Sequence, residues 1–141
     1  MDINRFTEKV QDALRSAQAN AIRASHSQLD VEHLFAALLD QADGLAPAIL
    51  AKAGISVPTV KARAQQELAK LPVVSGSGGR SEQIYISPRM NQLLVRAEDE
   101  AKPLKDEYVS VEHLLLAMTK DPGPTGNLFK EMGITRDLLM N

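Results

Sequence analysis

Val31-Glu32-His33-Leu34 recurs as Val111-Glu112-His113-Leu114, 80 positions further along a chain of 141 residues. Working outward from that block, an offset of 80 lines up Phe6 to Leu38 with Ile86 to Met118. Eight of these 33 positions are identical, and Thr7/Ser87, Lys9/Arg89, Val10/Met90 and Leu29/Val109 are similar. After a one-residue slip the match resumes with Ala53-Gly54-Ile55 over Met132-Gly133-Ile134. A fixed-period self-match is the signature of a duplicated unit.

Each half reads as the same series of helices. Thr7 caps a helix whose apolar residues Val10, Ala13, Leu14, Ala17 and Ala21 recur at spacings of three and four. Asp30 caps a second from Val31 to about Gln41, and a short third runs from about Pro47 to Ala53 and stops at Gly54. Ser56 and Pro58 open a fourth, closed by Pro72. In the second half Ser87-Pro88 and Ser110 open helices, Gly133 stops the short one and Thr135 starts the last. Pro103, where the first half has Arg23, ends or kinks its helix early. Strand signals are almost absent: Val73-Val74 and Ile84-Tyr85-Ile86 are short apolar runs around a Gly-Ser connection. The expectation is one all-α domain over 1–141, with about eight helices in two pseudo-twofold-related repeats. Repeat one spans 1–71, the connecting loop 72–86 and repeat two 87–141.

Composition narrows the function. With 16 basic and 18 acidic side chains the net charge is −2, which disfavours a nucleic-acid binder, since that needs a basic face to displace counterions. No apolar run approaches the roughly 18 residues of a membrane span. The absence of cysteine removes disulfides, thiolate zinc sites and cysteine nucleophiles. A signal peptide is not expected, because Met1-Asp2-Ile3-Asn4-Arg5 starts acidic. Gly76-Ser77-Gly78-Gly79-Arg80-Ser81 lacks the lysine of a phosphate-binding loop. Glu32-His33 and Glu112-His113 lack the second histidine that a helical zinc site needs. They read instead as first-turn acids beside hydrogen-bonding histidines, while His26 reads as solvent-facing with no counterpart in the second half. These residues describe a binding module rather than an enzyme.

Arg5-Phe6-Thr7-Glu8, the doubled Val-Glu-His-Leu, the two Gly-Ile stops and Leu71-Pro72-Val73-Val74-Ser75-Gly76-Ser77-Gly78-Gly79 together resemble the N-terminal domain of the Clp ATPase family. The pattern is most similar to its ClpB disaggregase branch, and the resemblance covers essentially the whole chain. It implies a non-catalytic domain engaging apolar segments of unfolded or aggregated client proteins, within a cytoplasmic, homohexameric AAA+ parent that works with the DnaK chaperone system. It implies no cofactor or metal here, with ATP and magnesium held elsewhere in the parent, and a monomeric isolated domain. The substrate-binding positions it implies are Thr7, Met90, Leu93, Leu94, Asp106 and Glu112, with Arg96 and Glu100 departing from apolar family positions. The alternative is docking of adaptors or degrons, as in the ClpA and ClpC branches. That reading needs paired basic residues, and only Lys9 and Arg89 align.

Overall fold

Thr7 opens α1 (Glu8–Arg23): its Oγ1 accepts from the Val10 N–H at 3.3 Å, satisfying one of the amides that a helix start leaves unpaired. Ser87 does the same for α5 (Pro88–Ala101), its Oγ accepting from the Met90 N–H at 3.0 Å, and Pro88 sits where no donor is needed. The remaining helices are α2 (Val31–Asp40), α3 (Leu45–Lys52), α4 (Val57–Ala69), α6 (Val111–Met118), α7 (Pro124–Glu131) and α8 (Arg136–Met140). The computed structural model describes residues 3–73, 84–103 and 105–140, and the Gly-Ser connection over 74–83 lies outside them. The fold is all-α, as expected, with four helices from each repeat in the same order. Gly54 (φ 85°) and Gly133 (φ 72°) stop α3 and α7 in the left-handed conformation. The next residues, Ile55 and Ile134, then donate back to Leu50 and Phe129 carbonyls at 2.9 and 2.8 Å, closing both helix ends identically. α1 ends at Arg23, which aligns with Pro103, whereas α5 stops earlier, at Ala101.

The two repeats are intertwined through backbone. The Thr7 N–H donates to the Val109 carbonyl at 3.0 Å, and the equivalent Ser87 N–H donates to the Leu29 carbonyl at 3.0 Å. Around these bonds, β1 (Gln28–Leu29) and β2 (Tyr85–Ile86) pair in parallel, and Phe6 bridges Val109 in parallel. Under the offset of 80, Phe6 matches Ile86 and Leu29 matches Val109. Each repeat's lead-in to its first helix therefore pairs with the other repeat's lead-in to its second. The sequence signalled no strand here because a two-residue pairing is too short to show alternation. Side-chain packing follows the same exchange: α3 packs on α6, and α7 on α2, where Phe35 and Phe129 meet edge-tilted with ring centroids 5.1 Å apart.

One apolar core runs through both repeats. Ala13, Ala17 and Ala21 are buried on α1, small enough to let α2 approach closely, and Met90, Leu93, Leu94 and Ala97 occupy the corresponding face of α5. This corrects an expectation. Met90 and Leu93 are 0% exposed and Leu94 5%, and they fill the interior against α6. Their helical phase turns them towards α6, and Val95, half exposed, is the apolar residue of α5 that faces solvent. A Leu93→Ala change should therefore lower stability by about 2–5 kcal/mol through the cavity it leaves, read as a shift of the urea midpoint at constant slope.

Candidate functional site

The starts of α2 and α6 carry the chemistry, and both are built on histidine. The Asp30 N–H donates to His33 Nδ1 at 3.0 Å, and the Ser110 N–H donates to His113 Nδ1 at 2.9 Å. Histidine thus takes the place that glutamate or glutamine holds in a capping box. Because Nδ1 accepts from backbone, the ring proton sits on Nε2. His33 donates it to His26 Nδ1 at 2.7 Å, and His113 donates it to Asp106 Oδ2 at 2.9 Å. His26 and Asp106 are equivalent under the offset of 80. His26 therefore does have a counterpart, and it is a hydrogen-bond acceptor for a buried ring rather than idle surface polarity. With both nitrogens engaged, the His33 and His113 rings act as struts. Burial holds the His33 pKa down to about 4, with the neighbouring His26 adding to the effect, and burial lowers His26 as well.

Glu32 and Glu112, equivalent in sequence, have opposite surroundings. Glu32 is 2% exposed, and its Oε1 accepts from Arg89 Nη2 at 2.9 Å. The same guanidinium grips Asp121 through Nε and Nη2 at 3.1 and 2.9 Å and reaches Asp30 Oδ2 at 3.5 Å. Asp121 also accepts from the Gly126 N–H, and Ser87 Oγ donates to Asp30 at 2.8 Å. This cluster, with Glu32 and Asp121 buried and Arg89 and Asp30 half-buried, joins the two repeats. Burial pushes Glu32 up, with Arg89 opposing. For Arg89 burial acts downward, but the hydrogen bonds and charges of Asp121 and Glu32 outweigh it and raise the pKa. The sequence predicts Glu32 as a first-turn acid favoured by the helix dipole and does not reveal its burial. The available clue was the Lys9/Arg89 difference, since an arginine forks to several carboxylates where a lysine is a point charge.

Glu112 is exposed, its Oε1 accepting from Ser110 Oγ at 2.9 Å. With Asp106 it rims a cavity of about 330 Å³ between α3, α6 and α8. Leu115 and Leu116 of α6 form its floor, and Leu138, Leu139 and Met140 of α8 one wall. The opposite wall is α3, with Ile49, Ala53 and the exposed Lys52. Of the six anticipated site residues, the structure brings Asp106 and Glu112 together here. Thr7 lies apart, as the cap of α1 bonded through its N–H to Val109, and Met90, Leu93 and Leu94 lie in the core. The apolar wall from α8 was missed because so short a helix offers little periodicity. Glu100 pairs with Arg136, tethering α8 to α5, and one buried guanidinium nitrogen of Arg96, Nη1, has no hydrogen-bond partner. No helix among the described residues is by itself long and apolar enough to cross a membrane.

This intertwined helical duplicate is the fold of a Clp-type N-terminal domain. The Clp repeat N-terminal domain family matches residues 5–132, and the chain belongs to that family. It is 41% identical over 140 residues to the chaperone protein ClpB of Bacillus cereus and 42% identical over 142 residues to that of Nitratidesulfovibrio vulgaris. Each match covers 99% of this chain and 16% of the relative, so the chain spans about one sixth of those proteins. In structure it is similar to the Hsp104 N-terminal domain from Candida albicans, with TM-score 0.81 and 25% identity over 95% of this chain and 85% of that one. A ClpV N-domain solved in complex with a VipB peptide has TM-score 0.74 and 23% identity, over 97% of this chain and 83% of its own.

Two predictions separate the halves. Arg89→Ala should cost about 3–5 kcal/mol in chemical denaturation, because it strands buried carboxylates. Lys9→Ala, at the equivalent exposed position, should stay within about 0.5 kcal/mol. The His33 ring is neutral in the fold down to about 4, while the unfolded chain takes up that proton near 6.5. Stability from this group is therefore complete above 6.5 and is lost as pH falls through that value towards 4. His26→Asp, which copies repeat two, should flatten the loss by favouring the charged ring, as read from midpoints across that pH range.

Proposed function

We propose that this chain is one non-catalytic domain, formed by two Clp repeats, that holds apolar segments of unfolded or aggregated client proteins for a ClpB-type, ATP-dependent disaggregase. The observation that carries the reading is the cavity between α3, α6 and α8. It combines a leucine floor with carboxylates at the rim, the composition of a surface that takes apolar chain while staying soluble. A net charge of −2 fits a domain that meets clients of arbitrary sequence, because a strong field would select among them. The residues that would touch the client are Asp106 and Glu112 with Leu138, Leu139 and Ile49. Thr7 supports them indirectly, by fixing Val109 in the segment that leads from Asp106 into α6.

The relatives supply the wider setting. In a ClpB-like parent, ATP and magnesium would be held by modules outside this chain, the assembly would be a cytoplasmic homohexamer, and clients would pass to or from the DnaK system. This domain would need no cofactor of its own. The test uses the intact 141-residue chain and a fluorescently labelled, permanently unfolded protein, followed by anisotropy. Weak saturable binding is expected, and Leu138→Asp, at a half-exposed position on the cavity wall, should reduce it at least tenfold while leaving the thermal midpoint close to wild type. Unchanged binding by Leu138→Asp would overturn the site, and no binding by the parent sequence would overturn the function.

A further inference from the structure

Gln41-Ala42-Asp43-Gly44 turns the chain from α2 into α3, far from the ionic joint. Asp43 sits there at φ 52°, in the left-handed region where a Cβ is crowded by the backbone. The Gly44 N–H donates to the Gln41 carbonyl at 3.1 Å and closes the turn. Only glycine fits at 44, since a Cβ there would lie 2.8 Å from Gln41 Cβ and 2.9 Å from Gln41 O. Asp43 is exposed, and among the described residues no hydrogen bond or ion pair holds its carboxylate. Nor does it cap α3, whose N-cap, Gly44, is made without a side-chain bond. By contrast, Asp12, Asp30, Asp99, Asp106 and Asp121 are each held by a cation or a histidine. Asp43 is also the one aspartate in the sequence that precedes a glycine. In repeat two the N-cap of α7 is again a glycine, Gly123, but Pro122 precedes it and offers no carboxylate.

We propose that Asp43–Gly44 is a site of spontaneous covalent modification, at which the aspartyl linkage rearranges to an isoaspartyl linkage through a cyclic imide. The Gly44 amide nitrogen attacks Cγ of Asp43. A C–O bond of the carboxyl group breaks, and one water leaves with the amide proton and the carboxyl proton. Water then adds at the Asp43 main-chain carbonyl and the C–N bond to Gly44 breaks there. The chain now continues through Cγ, and the former main-chain carbonyl becomes a free carboxylate. Addition of water at Cγ instead restores aspartate, so water is the only co-reactant. Three features of the turn favour the reaction. The carboxylate is free to swing, and Gly44 has no Cβ to obstruct its approach. The bond from the Gly44 N–H to Gln41 must open first, and opening relieves the left-handed φ of Asp43. The product carries one extra carbon in the main chain between α2 and α3. Gly44 is already tight against Gln41, so the start of α3 must take up the added length, although Ala46 and Leu50 fix that helix in the core.

The test incubates the folded 141-residue chain near neutral pH in water enriched in heavy oxygen, then digests it with trypsin in ordinary water. Fragmentation of the Ala24–Lys52 peptide by electron transfer separates the two linkages and locates the label. That peptide also contains Asp30 and Asp40, which serve as internal references. Heavy oxygen and isoaspartate should accumulate at position 43 roughly tenfold faster than at either, a difference of about 1.4 kcal/mol in barrier. Asp43→Glu, an exposed change whose longer side chain would have to close a six-membered ring, should abolish the label there. The isoaspartyl fraction, separated by ion exchange, should unfold at a lower thermal midpoint than fresh chain. Equal labelling at Asp30, Asp40 and Asp43 would overturn the proposal. So would isoaspartate that forms at 43 only when the whole chain is unfolded in urea, because the native turn would then be protecting the bond.

Discussion

The backbone exchange between the repeats is the constraint on which the rest depends. Each repeat can form its own helices from local capping and periodicity, but neither can satisfy the main chain leading into them. Thr7 needs the carbonyl of Val109, and Ser87 needs that of Leu29. Buried backbone donors without partners are costly, so the halves hold together for a reason that side-chain packing alone does not supply. The crossed packing of α3 on α6 and α7 on α2 follows from that arrangement, and so does the place where α3, α6 and α8 leave a cavity between them.

Duplication gave two equivalent acid-bearing helix starts, and the substitutions since then have driven them apart. At one, Arg89, Asp121, Asp30 and Glu32 form an ionic joint whose worth lies in what its removal would strand. At the other, Lys9, Ser110 and an exposed Glu112 stand in the equivalent places, and among the described residues no ion pair joins Lys9 to Glu112. The histidine pairs diverge in the same manner. His33 leans on a second histidine and His113 on a carboxylate. A fold that began as two copies now carries its acid in an ionic joint in one half and at the surface in the other.

Much of this architecture could be read from the residues. The repeat, the eight helices, the serine and threonine caps, the two glycine stops and the early end of α5 at Ala101, ahead of Pro103, all follow from short-range rules, and all were legible. The exchanged pairings were not, because two residues of strand carry no pattern and their partners lie in the other half of the chain. The candidate site was less legible than the fold. Asp106 and Glu112 came from resemblance and do meet at one rim. Met90, Leu93 and Leu94 came the same way, but the helical phase that makes them apolar also turns them into the core. The importance of Arg89 escaped because charge in a sequence does not reveal burial, and three carboxylates from two repeats meet around it only in three dimensions.

The exchange also bears on how the chain reaches its native state. Contacts within each pair of long helices close short loops and can form early. Phe6 reaching Val109 and Leu29 reaching Ile86 close loops of 103 and 57 residues (109 − 6 and 86 − 29), which come with a larger entropic toll and a slower search. A polypeptide emerging from a ribosome can therefore assemble the helical pairs of its first half, but must wait for Val109 before the strand ahead of α1 finds its seat. Until then Phe6 remains uncovered, and a nascent domain of this kind passes through a stage at which a core aromatic residue stands exposed to other chains.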